Sequence, residues 1–389
     1  MPAQDGMSIG DSRRLTAGVL NMLRGEDAPA DSRRWAAICT GSGHCIPVCE
    51  HGVNPRFMLA MARLAQAAGK PPEARRQDGF SRFGAMTTGV RVLSRLQLSP
   101  ELLARFRTED EADAELTFYT GCNLLKTPHI ALLCFDILDA LGVRYRVTGG
   151  PSACCGVLQF RAGDISTSGR VAGRTLQRLS AGPVLSWCPT CQIQLSEVVT
   201  NGMDMQPFLI FLAARLDQLR PLMTRRVEKR VGLHEHPGAA GVTEAARAIL
   251  EAIPGLEFTD LEQPRLGWMC TSLAGVPEIK RDAHRAQLEA AEAAGVTTLA
   301  GIYHACHREL CSHERDWPFE VVNFLELVGE SMGLYRPDLF KRMKLMQDVD
   351  AILADAAPMI AAHGLDLEEA RNVVLSELLG EQPLPMGRA

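Results

Sequence analysis

Cysteine is the residue whose number and spacing set this chain apart. There are 12 cysteines among 389 residues, beside only 4 Trp and 4 Tyr. The N-terminus carries Asp5, Asp11, Arg13 and Arg14 with no long apolar segment behind them, so no secretory signal is expected. In a reducing compartment such a chain is expected to bind metal or do redox chemistry rather than carry structural disulfides. The strongest grouping is Cys122, then 31 residues, the adjacent pair Cys154–Cys155 with Gly156, then 32 residues, then Cys188-Pro-Thr-Cys191. Each group falls at the end of a predicted strand, and in an open parallel sheet those ends face one crevice. Gly156 removes a side chain beside the pair, and Pro189 fixes the turn between Cys188 and Cys191. Five thiolates exceed the tetrahedral set that zinc takes, whereas a multi-iron cluster can use them. The same residues also read as a CxxC redox disulfide with three incidental buried thiols.

A second group, Cys39, Cys45 and Cys49, lies in ICTGSGHCIPVCEHGVNP at 38–55. The spacing follows the ferredoxin run, with Ser42 at the second cysteine position and Glu50 in place of the trailing proline. A second [4Fe–4S] cluster there needs Cys39, Cys45 and Cys49 plus the Ser42 oxygen or an outside ligand. A third group is Cys270, Cys306 and Cys311. The run Cys306, His307, Cys311, His313 reads as a small zinc site, against the plainer expectation that these thiols are buried remnants. Cys134, in HIALLCFDILDALG, is expected in a helix core. His44 is expected to be a loop polar group. His129 has an N-terminal capping role or a place near Cys122, and Lys126 and Arg161 are candidates for attracting an anionic substrate. No GxGxxG spacing occurs, and GGPSACCG does not supply one, so no flavin or nicotinamide is expected on this chain.

The elements that must position these thiols follow from texture. Apolar residues make up 46% and charged residues 22%, with a net charge of −5, which excludes wholesale disorder and a broad nucleic-acid footprint. The apolar runs Ala131–Phe135 and Pro207–Ala214 end far short of a membrane span, so a soluble cytoplasmic protein is expected. Helices are expected over 10–35 and from Pro55 to Gly69, with a polar linker over Lys70–Arg82. From about Glu115, strands and helices alternate: LTFYTG, 129–141, VRYRVTG, 169–180, PVLSW. The alternation recurs in VGLHEHPG, VTEAARAILEAIPG, PRLGWMC, AHRAQLEAAEAAG and TTLAGIYHAC. Overlaying the copies sets Gly238 on Cys122, Cys270 on Cys154, Thr271 on Cys155 and Cys306 near Cys188, since 122 to 154 and 238 to 270 are both offsets of 32. The expected fold is α/β: a helical N-terminal region (1–80), two Rossmann-like halves (115–215 and 228–330), and a tail (335–389) of two or three amphipathic helices.

The segments FYTGC at 118–122, PSACCG at 151–156 and SWCPTC at 186–191 resemble the CCG domain of the heterodisulfide reductase B-type subunits. The resemblance extends to relatives in dissimilatory sulfur metabolism and to iron–sulfur subunits of lactate and glycolate oxidation. It implies a non-cubane [4Fe–4S] cluster held by Cys122, Cys154, Cys155, Cys188 and Cys191 that meets a sulfur substrate directly. In the second copy the family's elements stand as HEHPGA at 234–239, CTSLAG at 270–275 and CHRE at 306–309, so a second such cluster is not expected. The context RRWAAICTGSGHCIPVCEHGVNPRFML resembles the second cluster motif of the heterodisulfide reductase C-type subunits. The partners implied are an FAD-bearing A-type subunit, a C-type subunit and a sulfur-carrying protein, including one with a lipoyl arm. The function implied is thiol, disulfide or sulfane-sulfur redox chemistry of the sulfur-oxidising kind. A relay subunit of a lactate or glycolate dehydrogenase and a cluster-poor scaffold stay open beside it.

Overall fold

The computed structural model describes residues 11–107, 113–179, 182–199, 203 and 205–380. The ends of the expected N-terminal region (1–10) and tail (381–389), and Ser180 at the close of the expected 169–180 helix, lie outside the described residues. Among those residues no helix is long and apolar enough to cross a membrane.

Strands form where short apolar, β-branched runs sit between turns. β1 (Leu116–Gly121) is buried at all six positions, as a central parallel strand covered on both faces must be. It pairs in parallel with β2 (Tyr145–Gly149) on one side and β3 (Val184–Ser186) on the other, and β3 pairs with β4 (Met205–Pro207). β5 (Arg230–His234), β6 (Glu257–Thr259), β7 (Thr298–Gly301) and β8 (Glu320–Asn323) repeat the plan. The orders are β2-β1-β3-β4 and β6-β5-β7-β8, one topology built twice. The tandem α/β expectation holds.

Three edge strands are not legible in the sequence. β4 and β6 have three residues each and β8 has four, too short to show a period. PRLGWMC is a loop, and β6 lies upstream of it.

The halves share a core. Phe118, Phe135, Trp187 and Phe208 from the first half and Val231, Leu233, Ile249 and Phe324 from the second belong to one buried cluster. Helix Pro128–Ala140 packs on helix Phe324–Met332, and helix Phe208–Ala213 on helix Val242–Ala252.

The helical periphery departs from expectation in three places. The helix expected over 10–35 is two, Ser12–Arg24 and Ala30–Ile38, because Gly25 turns left-handed (φ 76°) and closes the first. Lys70–Arg82 is no linker: it opens a 26-residue helix, Pro72–Gln97. Pro71 and Pro72 sit at its N-cap and first turn, where a missing N–H breaks no helical bond. This helix packs on the turn after Cys122, on helix Val157–Arg161 and on the tail. Among the described residues the tail has four α-helices, Leu339–Met346, Val349–Asp355, Ala357–His363 and Leu367–Val373, followed by a helical segment to Gly380.

Candidate metal centre

The C-terminal ends of β2, β1 and β3, three neighbouring strands, bring the five first-half thiols together. Cys122 follows β1 at the start of the turn Asn123–Lys126. Cys154 and Cys155 follow the short turn Pro151–Ala153 after β2. Cys188 is the N-cap of helix Pro189–Ile193 after β3, and Cys191 is the helix's third residue. Cys154, Cys155, Cys188 and Cys191 are buried and Cys122 is half-buried.

The loops are held by their own backbone. Thr175 Oγ1 donates to the Cys154 carbonyl at 2.7 Å, and Tyr119 Oη donates to the Ala153 carbonyl at 2.8 Å. Gly156 has φ 80°, and a Cβ there would lie 2.6 Å from the Ser168 carbonyl oxygen, so only glycine fits beside the cysteine pair.

The thiols are linked in sequence: Cys122 to Cys154, Cys154 to Cys155, Cys155 to Cys191 and Cys191 to Cys188. Hydrogen bonding from Cys122 and then Cys155 holds Cys154 well below the usual thiol range, and Cys191 does the same for Cys188 against its burial. Hydrogen bonding to Cys154 pushes Cys122 and Cys155 up, and hydrogen bonding to Cys155 pushes Cys191 up. Two easily ionised thiols among five is what mutual repulsion in a buried site leaves. All five ionise together only around a cationic centre, which is the chemistry of a multi-iron cluster. The donor set therefore fits such a group.

Around this centre the arrangement is cationic. The Arg161 guanidinium lies close enough to favour the Cys188 thiolate. It also lines a cavity of about 450 Å3 with Arg63, Arg82, Cys39, Thr190 and Trp268. Trp268, from the second half, donates its indole N–H to Thr190 Oγ1 at 3.1 Å, inside the Cys188–Cys191 loop.

The other sequence candidates distribute as follows. Cys39, Cys45 and Cys49 are half-buried in a loop of successive turns. Burial and then the nearby Cys39 charge raise Cys45, so these two approach each other, and Ser42 is half-buried in the same loop. His44 Nε2 donates to the Arg265 carbonyl at 3.0 Å, a loop contact as expected. Cys134 is wholly buried in helix Pro128–Ala140, also as expected. Lys126 is not available to a substrate, because it is buried and ion-paired with Glu377. His129 neither caps its helix nor faces Cys122: it packs against the His307 ring at 5.3 Å and toward Asp338 at 3.5 Å.

The alternative grouping of Cys306 with His307, Cys311 and His313 is not formed. His307 meets Asp338 at 2.6 Å, and Cys311 is packed with Val92, Leu93 and Phe340, where burial pushes its thiol up to about 12. Helix periodicity separates these residues onto different faces.

The overlay of the two copies also needs correction. Leu116 and Arg230 hold equivalent places in their strand ladders, which sets His236, not Gly238, where Cys122 stands. Gly238 instead gives room to Tyr303, whose Oη would lie 1.8 Å from a Cβ there. Tyr303 is the N-cap of helix His304–Leu310 and takes the place of Cys188, so Cys306, third in that helix, takes the place of Cys191. Sequence reasoning missed His234, His236 and His284. The alternation in HEHP was the available signal, since residues two apart on a strand share a face.

Residues 116–196 match the cysteine-rich CCG domain family. The chain is 24% identical over 332 residues to the D subunit of dihydromethanophenazine:CoB–CoM heterodisulfide reductase from Methanosarcina mazei, covering 76% of this chain and 78% of that protein. The same subunit of Methanosarcina barkeri is 22% identical over 319 residues, with 76% and 78% covered. The B subunit of fumarate reductase (CoM/CoB) from Methanothermobacter marburgensis is 26% identical over 311 residues, covering 75% of this chain and 60% of that protein. With five thiols gathered inside the matched segment, the chain carries a CCG domain over residues 116–196 and is similar across three quarters of its length to the D subunit of heterodisulfide reductase.

Proposed function

We propose that this chain is the iron–sulfur subunit of a heterodisulfide-reductase-like complex, working on a thiol, disulfide or sulfane-sulfur group. The observation that carries the reading is the convergence of Cys122, Cys154, Cys155, Cys188 and Cys191 from three adjacent strand ends. These five residues would hold one non-cubane [4Fe–4S] cluster, which supplies one-electron chemistry and a place for a sulfur ligand. Cys39, Cys45, Cys49 and Ser42 are the place for a second, electron-relaying [4Fe–4S] cluster, with Cys39 on the wall of the arginine-lined cavity.

The protein's own residues attract and orient. Arg63, Arg82 and Arg161 give the cavity a positive wall suited to a substrate that carries carboxylate, sulfonate or phosphate groups. Reducing a disulfide consumes two electrons and two protons and yields two thiols. The chain has no flavin motif, so the electron pair comes from, or goes to, partner proteins: an FAD-bearing A-type subunit, a C-type subunit, and a sulfur-carrying or lipoyl-bearing protein as donor. Twelve free cysteines fit a reducing, cytoplasmic setting.

The fumarate reductase and heterodisulfide reductase relatives have CoM and CoB in common, which favours a sulfur substrate over a 2-hydroxy acid. The deciding experiment is anaerobic purification with iron and sulfide analysis, followed by two dye-linked assays. Oxidation of a reduced viologen on adding an anionic disulfide supports the reading. Dye reduction by lactate or glycolate supports a dehydrogenase relay in its place, and protein free of iron and sulfide makes it a scaffold.

A further inference from the structure

The second half has lost three of the five thiols, His236 standing for Cys122, Thr271 for Cys155 and Tyr303 for Cys188, yet it is not empty of donors. Beside His236, Cys270 stands for Cys154 and Cys306 for Cys191, and His234, the last residue of β5, adds a fourth donor. All four are buried, between 0% and 6% exposed. One donor atom from each lies within 4.8 Å of every other.

We propose that His234, His236, Cys270 and Cys306 form a closed site for a single zinc ion.

The distances fit one ion. His234 Nε2 and His236 Nε2 face each other at 3.0 Å, and they stand 3.2 and 3.4 Å from Cys270 Sγ. A tetrahedral zinc with two nitrogens and two sulfurs separates neighbouring donors by about 3.3 Å (N to N) and about 3.6 Å (N to S), from its usual bond lengths. The donors need move apart by only a few tenths of an ångström. Two imidazole nitrogens nose to nose on a thiol, in a dry interior, otherwise gain little from one another.

The surroundings complete the site. His236 Nδ1 is fixed by the Leu266 carbonyl, so Nε2 is the free coordinating nitrogen. His284 Nε2 lies 3.3 Å from Cys270 Sγ, within reach to donate an N–H to that sulfur. Glu309, near Cys270 and His284, is ion-paired with Lys280 at 2.8 Å and needs no ion of its own. Tyr303, packed beside Gly238, offers no thiol where Cys188 stands in the first half. A cavity of about 400 Å3 lined by His234, His236, Gln263, Leu266, His284 and Gln287 gives an ion its way in. Four protein ligands with no open position mark a structural ion that ties β5, the loop before Cys270 and helix His304–Leu310 together.

The test is metal analysis of the full chain purified anaerobically, with zinc and iron measured separately. One zinc per chain is expected. It stays when Cys155→Ser removes the first-half iron, so failure of the cluster reading and failure of this one are told apart. Cys306→Ser and His236→Gln each lose the zinc. His284→Phe keeps all four ligands and folds, and its zinc affinity falls about 10–100-fold. Cobalt bound in place of zinc shows the strong visible and near-ultraviolet absorption of thiolate ligation, absent from Cys306→Ser. Wild-type protein without zinc that also binds no added zinc or cobalt overturns the proposal. So does an additional cluster's worth of iron lost with Cys306→Ser, or zinc retained by both ligand variants.

Discussion

Cysteines of one chemical kind play different parts here according to what faces them. Cys155 touches two other thiols and sits in a cationic neighbourhood, whereas Cys134 is surrounded by aliphatic and aromatic side chains. Replacing Cys155 by Ser leaves a hard oxygen where a soft ligand is needed. We expect Cys155→Ser to lose most of the protein's first-half iron, read by iron and sulfide assay against wild type. Cys134→Ala is the matched control: iron stays, and stability falls by about 1 kcal/mol, as for an ordinary core substitution. Equal iron in wild type and Cys155→Ser contradicts the five-thiol centre. Equal losses in both variants mean that the loss reflects folding alone.

Turns after strands, more than the strands themselves, set where the donors stand. β7 hands over to helix His304–Leu310 through Gly301 and Ile302, whose carbonyls accept from Asn323 Nδ2 at 3.1 and 3.0 Å. The Asn323 side-chain oxygen meanwhile caps helix Phe324–Met332, with Glu326 returning a bond to the Asn323 backbone in a capping box. One wholly buried side chain thus joins two strand ends and a helix start. Asn323→Ala removes the cap and strands two buried carbonyls, and a loss of about 2–4 kcal/mol is expected from urea unfolding. A change below about 0.5 kcal/mol would put this joint among ordinary surface positions.

Across the molecule, the units are bound by a few contacts far apart in sequence. Asp136, in helix Pro128–Ala140, accepts from Arg336 at 2.6 and 2.8 Å and from Arg105 at 2.9 Å. Burial works against its charge, yet the two guanidinium groups hold its carboxyl below the usual range. A carboxyl depressed in the folded state adds stability above its unfolded value, near 3.9, and loses it as pH falls through the folded value. Asp136→Asn should therefore cost about 2 kcal/mol at pH 7 and progressively less as pH falls below about 4, measured by denaturant midpoints across pH. A pH-independent difference would show that the amide disturbs packing and not charge. The N-terminal unit is joined through Gly41, where a Cβ would lie 1.8 Å from the Trp268 ring and where φ is 71°. Gly41→Ala displaces Trp268 from Thr190, with a cost of about 1–3 kcal/mol for the overpacking. Its sign is a lower melting temperature together with a red-shifted tryptophan emission; unchanged emission would mean that the loop moves in place of the ring.

The first site and the doubled plan are legible in the residues alone. Cys122, Cys154, Cys155, Cys188 and Cys191 are named by spacing because each follows a strand, and strand ends on one parallel sheet converge whatever the loops between them do. Strand–helix alternation repeated twice is a local pattern, and local patterns survive reading one residue at a time. Spacing also misled: it made Gly238 the counterpart of Cys122, because equal offsets ignore how many residues a loop uses before its strand ends. Which residues the second half gathers is a matter of three-dimensional packing. His234 ends a strand, His236 lies in the loop after it, Cys270 opens a short turn, and Cys306 and His284 come from two helices, and no periodicity links residues brought together by packing across as many as 72 positions. The same reason hid the partners of Lys126 and His129, whose carboxylates lie on the tail and on the last helix of the second half. A side chain's type states what it can bind, and packing states what it is offered.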